Sequence, residues 1–158
     1  MSKNNEFSDL IDNVNASRLP YKEHNLLLTD LCGRLLHGVK CALYSKYSSR
    51  PKMGQVVSID ARMGHITVLE ENFDMPVAYG TWQVKPYLRP LEDMTERERS
   101  LYNDLRNALT YQENGEYDLD DFNELNDFLN RNHLDYRGLI EKGLAIKVTP
   151  KNNPYNNK

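Results

Sequence analysis

From Val39 to Leu69 apolar residues recur at every second position, whereas beyond Thr95 they recur at every third or fourth. A period of two places alternate side chains on opposite faces of a strand, and a period near 3.6 draws one stripe down a helix. The first regime predicts strands at Val39–Tyr44, with Val39, Cys41 and Leu43 on one face, and at Gln55–Ile59 and His65–Leu69. The last two flank Asp60-Ala61-Arg62-Met63-Gly64, a five-residue hairpin connection ending in glycine. A fourth strand is expected at Thr81–Val84, carrying Trp82, the only tryptophan. Leu26, Leu27, Leu31 and Leu35 precede the strands at helical spacing, with Gly38 just past the helix end. In that helix Thr29, Asp30 and Arg34 are expected to face outward or to meet the sheet edge.

The change of period falls at Val84-Lys85-Pro86-Tyr87-Leu88-Arg89-Pro90-Leu91. Proline donates no hydrogen bond, so pairing at Pro86 and Pro90 is confined to an unpaired side or stops. Thr95 with Glu98 three residues later is a capping-box signature. A helix follows to Leu109 with Leu101, Leu105 and Leu109 in its stripe. Asn114-Gly115 breaks it, and Asp118 is placed to cap a second helix bearing Phe122, Leu125, Phe128 and Leu129. A turn closed by Gly143 and a short strand at Leu144–Val148 complete the pattern. The fold class is α+β: a small antiparallel sheet, with an open SH3-like barrel as its curled form, preceded by a short helix and followed by a helical hairpin. Residues 1–20 read as a flexible lead-in with helical spacing at Phe7, Leu10, Ile11 and Val14. Residues 21–150 read as one domain, strand-rich over 38–91 and helix-rich over 92–148, and residues 151–158 as a disordered tail.

Charge adds an asymmetry that the net value of −3 conceals. Residues 32–90 carry 8 Lys/Arg against 4 Asp/Glu, residues 91–135 carry 4 against 13, and residues 136–158 carry 5 against 1. The acidic block is suited either to a basic partner or to its own basic neighbours, and arginines Arg89 and Arg137 are candidates to bridge to Asp118, Asp121 or Asp135. No apolar run reaches the roughly 20 residues of a membrane span, and no membrane partner is expected. The first residues lack the apolar stretch of a secretory signal, so a cytoplasmic location is expected, with Cys32 and Cys41 as reduced thiols.

Each chemical candidate competes with a plainer structural reading. Thr110–Asp121 resembles a calcium loop, with Asn114, Gly115, Asp118 and Asp121 in place, but Thr110 and Gln112 stand where carboxylates belong. Cys32, His37, Cys41 and His65 match no zinc spacing, so Cys41 is read as a small hydrophobe on its strand's apolar face. His133 is read as a cation completing a helix C-terminus rather than as a base. No nucleophile elbow, phosphate loop, dinucleotide fingerprint or metalloprotease motif occurs, so neither catalysis nor a cofactor or metal is expected. Basic and aromatic residues do interleave: Lys40, Tyr44, Lys46, Tyr47, Arg50, Lys52 and Arg62 combine phosphate attraction with stacking rings.

Three stretches taken together carry a likeness: Asp30-Leu31-Cys32-Gly33-Arg34-Leu35 with Gly38-Val39-Lys40, then Val84 to Pro90, then Phe128-Leu129-Asn130 with His133 and Asp135 to Ile140. Over roughly residues 25–148 the chain resembles a family, without an assigned activity, of proteins encoded by phages and prophages of gut Bacteroidetes. The resemblance implies a small accessory protein of a mobile element and carries over no functional residue. Two functions are therefore expected: a non-enzymatic protein-binding or adaptor domain with an unidentified protein partner, or alternatively a nucleic-acid-binding module using the basic strands.

Overall fold

The computed structural model describes residues 19–110 and 119–156. Helix α1 (Tyr21–Arg34) is followed by a single tight turn, Leu35–His37, and by Gly38 at φ 66°, the left-handed stop that glycine adopts without a steric penalty. Strands β1 (Lys40–Ser45), β2 (Ser48–Asp60), β3 (His65–Glu70), β4 (Val77–Gly80) and β5 (Val84–Leu88) come next. Helices α2 (Glu96–Thr110) and α3 (Leu119–Arg131) and a two-residue strand β6 (Ile146–Lys147) complete the order.

The six strands form one open sheet in the order β4-β3-β2-β1-β5-β6, antiparallel except for the parallel β5–β6 pair. The fold is α+β, and the sheet does not close into a barrel. Pro86 pairs with Cys41 on its β1 side, while β6 runs beside only Tyr87 and Leu88. The missing donor of Pro86 thus falls where β5 has a single neighbour.

One face of the sheet is covered. Leu27, Leu28 and Leu31 of α1 pack on Cys41, Leu43, Val56, Ile66, Val68, Val84 and Leu88, with Leu139 and Leu144 closing the rim. Each fully buried aliphatic side chain contributes roughly 1.5–3 kcal/mol, so this layer dominates the interior. The opposite face carries a smaller cluster, Ala42, Tyr87 and Val148 with Met53, Ile146 and Tyr155. A third, Phe128, Leu129 and Leu134 with Leu91, Met94, Tyr102, Leu105 and Leu125, holds α2 and α3 together at the end of the sheet.

Several sequence expectations need correction. The strand expected at Thr81–Val84 is a helical turn, Thr81–Gln83, between β4 and β5. The Gly80 amide donates to Gln83 Oε1 at 3.1 Å, and Thr81 Oγ1 lies 2.9 Å from His24 Nδ1 on α1. These side-chain partners replace a ladder at that point. Strand β2 starts seven residues earlier than the alternation marks, and α1 starts at Tyr21 rather than Asn25. Asp30 and Arg34, expected outward, are both fully buried. The tail is ordered through Asn156: Pro154 is buried, the Tyr155 hydroxyl donates to Tyr87 O at 2.8 Å and accepts from Lys40 N at 3.2 Å, and its ring stacks on His133. The spacing noted at Phe7, Leu10, Ile11 and Val14 lies outside the described residues.

Candidate nucleic-acid interface

The register of β1 decides which residues share a face. Ala42 stands opposite Lys85 on β5 and opposite Met53 on β2, so Lys40, Ala42 and Tyr44 project away from α1, as do Lys85 and Tyr87. The Lys85 Nζ sits over the Tyr44 ring, 5.7 Å from its centroid. β5 leaves β1 at the Leu43–Val84 pair, and β3 joins β2 only at Gly54. Between those limits the strands around residues 44–51 pair only with each other, apart from Gln83 Nε2 reaching Tyr44 O at 3.4 Å. The result is a two-stranded arm projecting roughly 10 Å beyond the sheet.

Its local structure follows from its sequence. Leu43 pairs with Lys52 and Ser45 with Ser48, so β2 spends two more residues than β1 between those pairs. The bulge contains Pro51, which lacks a ladder donor and suits an interrupted ladder. Serines satisfy the tip: Ser45 Oγ accepts from Tyr47 N at 3.2 Å, and Ser48 Oγ accepts from Arg50 N at 3.3 Å and donates to Arg50 O at 2.8 Å. The tip therefore needs no contact with the rest of the fold to order its backbone. Lys46 and Arg50 are exposed, Tyr44 is 38% exposed, and Tyr47 is 97% exposed.

Of the seven residues predicted for a nucleic-acid surface, the arm brings Tyr44, Lys46, Tyr47 and Arg50 together, and Lys40 follows on the same face of β1. Lys52 is diverted. Its ammonium bonds Glu70 Oε2 at 2.7 Å and lies 5.2 Å from the Phe73 ring centroid. Glu70, which also accepts from the Tyr79 hydroxyl, is held below the usual carboxylate range by the Lys52 and Tyr79 bonds, while burial and that carboxylate push Tyr79 up to about 12. Arg62 is too distant. It sits in the β2–β3 turn, where Asp60 Oδ1 accepts from the Arg62 and Met63 amides, roughly 30 Å along β2 from the arm. Lys85 was missed, although its alternation with inward Val84 and Leu88 marks it as outward. Among the described residues none of Lys40, Lys46, Arg50, Arg62 and Lys85 forms an ion pair.

Several polar groups of the other half hold its elements together. Arg34 is buried with Asp30 in a two-bond pair, Nε to Oδ2 at 2.7 Å and Nη2 to Oδ1 at 2.9 Å, and Nη2 also donates to Leu134 O at 2.7 Å. Gly33 brings α1 against α3, since a Cβ there would lie 3.0 Å from Asn130 Nδ2. The Tyr136 ring lies beneath both Arg34 and Arg137, and its hydroxyl donates to Asn130 Oδ1 at 3.1 Å. Arg89 and Arg137 do bridge elements, but among the described residues neither pairs with Asp121 or Asp135, and Asp118 lies outside those residues. Arg89 grips Glu98 with two bonds, at 2.8 and 2.9 Å, while Arg137 Nε lies 3.6 Å from Asp30 Oδ1. Asp135 instead accepts the amides of Leu139 and Ile140, each at 2.8 Å.

Glu98 is also the reciprocal member of the capping box, accepting from Thr95 N at 2.7 Å while Thr95 Oγ1 accepts from Glu98 N at 3.2 Å. Arg89 and these bonds lower its pKa to about 2. His133, at φ 52°, is buried, and desolvation beside Arg34, His37 and Arg89 lowers its pKa to about 4. It is neutral near pH 7 and cannot be the helix-end cation expected. Cys41 is buried on the covered face, and that burial raises its thiol to about 12; Cys32 is exposed. Asp118 and most of the proposed calcium loop lie outside the described residues, among which no three His, Cys, Asp or Glu side chains are placed to hold a metal. No described helix is long and apolar enough to cross a membrane. No protein-family model matches this chain, and no curated protein or solved structure does either.

Proposed function

We propose that this protein is a binding module rather than an enzyme, and that the β1–β2 arm, with Lys85 at its root, holds nucleic acid. One observation carries the reading: Lys46 and Arg50 on a projecting arm and Lys85 at its root, which have no ion-pair partner among the described residues, flank Tyr44 and Tyr47. Such cations release condensed counterions on meeting a phosphate chain, and exposed rings accept bases. Arg34, Arg89, Asp30 and Glu98 support the non-catalytic reading, because their bonds join elements of the fold. An accessory role for a phage or prophage in the cytoplasm is the setting that the family resemblance implies.

A protein-binding adaptor is the second reading, and a different surface favours it. Leu119 and Phe122, 74% and 52% exposed, lie one turn apart at the start of α3 beside Asp121 and Glu124. A basic amphipathic partner fits that chemistry. Fluorescence anisotropy with labelled single- and double-stranded oligonucleotides across a salt series separates the readings. The nucleic-acid reading expects binding at low salt that weakens steadily as salt rises. It also expects Lys46→Ser with Arg50→Ser to reduce the logarithmic salt slope by about 2, roughly one per phosphate contact. No binding of the intact protein at low salt overturns it.

A further inference from the structure

We infer that the ligand of the arm is single-stranded nucleic acid, held by bases stacking on Tyr47 and at Tyr44; the inference rests on the nucleic-acid reading above and names its substrate class. A two-stranded ribbon has two ways to engage nucleic acid. It enters the major groove of a duplex and reads base edges with hydrogen-bonding side chains, or it offers rings to unstacked bases.

For the groove the arm offers Lys46 and Arg50, which suit guanine edges, and few neutral hydrogen-bonding groups. Ser45 and Ser48 have hydroxyls of the kind that contact base edges, but both are engaged in closing the tip. Lys46 and Arg50 are then the charged donors left near the tip. Rings, by contrast, are placed where a duplex gives them no partner, because paired bases keep their faces inside the stack. Tyr47 stands at the tip almost wholly in solvent. Tyr44, 38% exposed, stands at the root with the Lys85 ammonium over its ring. Lys85 supplies positive charge at that step, whereas Lys40, on the same face of β1, lies beyond Ala42, which the Val148 and Tyr155 cluster covers. Rings and cations thus lie together on the arm and at its root, the pairing that a chain of bases and phosphates requires. The bulge at Pro51 adds local twist, which turns Arg50 relative to the sheet.

The test compares oligonucleotides of about 12 residues, within the usual range of single-strand sites, as single strands and as duplexes of the same sequence, in DNA and RNA forms at one low salt concentration. The intact protein is expected to bind the single strand at least tenfold more tightly. Tyr47→Ala is expected to weaken single-strand binding about tenfold and to leave duplex binding unchanged, whereas Tyr47→Phe, which keeps the ring, retains wild-type affinity. Circular dichroism of Tyr47→Ala checks that the exposed substitution leaves the fold intact. Equal or tighter binding of the duplex overturns the inference while leaving the nucleic-acid reading standing. So does a Tyr47→Ala protein with undiminished single-strand affinity when Lys46→Ser with Arg50→Ser still weakens binding. Absence of binding to every form overturns the inference together with the reading on which it rests.

Discussion

Arg34 and Arg50 carry the same guanidinium group into opposite surroundings. Arg34 has no solvent contact, and its donors meet Asp30 and the Leu134 carbonyl. Arg50 is exposed, and its own side chain has no ion-pair partner among the described residues. Removing a charge from water is costly, so a buried guanidinium is tolerated only where other elements come to it. That requirement is what fastens α1 to the segment after α3. An exposed cation makes no such demand and contributes little to stability, which leaves it available to a ligand. Among the described residues the molecule separates these uses by location: paired arginines at the junction of sheet and helices, and Lys46 and Arg50 without ion pairs on the arm.

The strongest way to break this comparison is Arg34→Met. The substitution leaves the Asp30 carboxylate buried without its principal partner and leaves the Leu134 carbonyl with only the Tyr136 amide. A loss of about 3–5 kcal/mol is expected, read as a lower midpoint in guanidinium chloride unfolding. A loss below about 1 kcal/mol would show that the buried pair does not fasten α1 to its neighbours.

A smaller effect sharpens the same contrast through pH. Burial beside cations is what holds His133 at about 4, below the ordinary 6.5. The unfolded chain therefore binds more protons than the folded one between those values, and stability must fall as pH drops from about 6.5 to about 4. The full contribution is about 3 kcal/mol, complete near pH 7 and gone below about pH 4. Glu98, at about 2, adds a further acid loss that starts only below its ordinary 4.5. The upper part of the window thus isolates the histidine. His133→Asn, which tolerates the left-handed backbone, is expected to flatten the stability profile between pH 6.5 and 4.5. An unchanged slope in that variant would assign the effect elsewhere.

The sheet and helices were legible where one regular period governed. Cys41 and Leu43 face inward as alternation requires, Gly38 ends α1 and its turn, and Thr95 with Glu98 caps α2. Periodicity was a poorer guide where side chains set the backbone. Trp82 sits in a turn formed around Gly80, Thr81 and Gln83, and the arm's strands alternate weakly because both of their faces meet water. Asp30 and Arg34 looked like surface residues because polarity alone does not reveal a partner a hundred residues away. Tyr155 looked like part of a disordered tail because one ring and hydroxyl anchor a segment whose composition is otherwise that of a loop. For the interface, residue type identified most of the cluster, but only the register removed Arg62, the Glu70 bond diverted Lys52, and pairing added Lys85.

The smallest effect on stability is expected on the arm itself. Lys46→Ser with Arg50→Ser removes two charges from exposed positions and leaves the serine bonds of the tip in place, since those use the Arg50 backbone rather than its side chain. The unfolding free energy should stay within about 0.5 kcal/mol of wild type, the ordinary range for surface substitutions. Measured beside Arg34→Met in the same denaturant series, the double variant sets the lower end of the comparison. A loss above about 1 kcal/mol would mean that these side chains support the fold, and the separation between structural and available cations would fail at the arm. A stability change near zero, set against a reduced salt slope for nucleic acid, would place the contribution of Lys46 and Arg50 in binding, where the charge of the arm meets a partner absent from the folded chain.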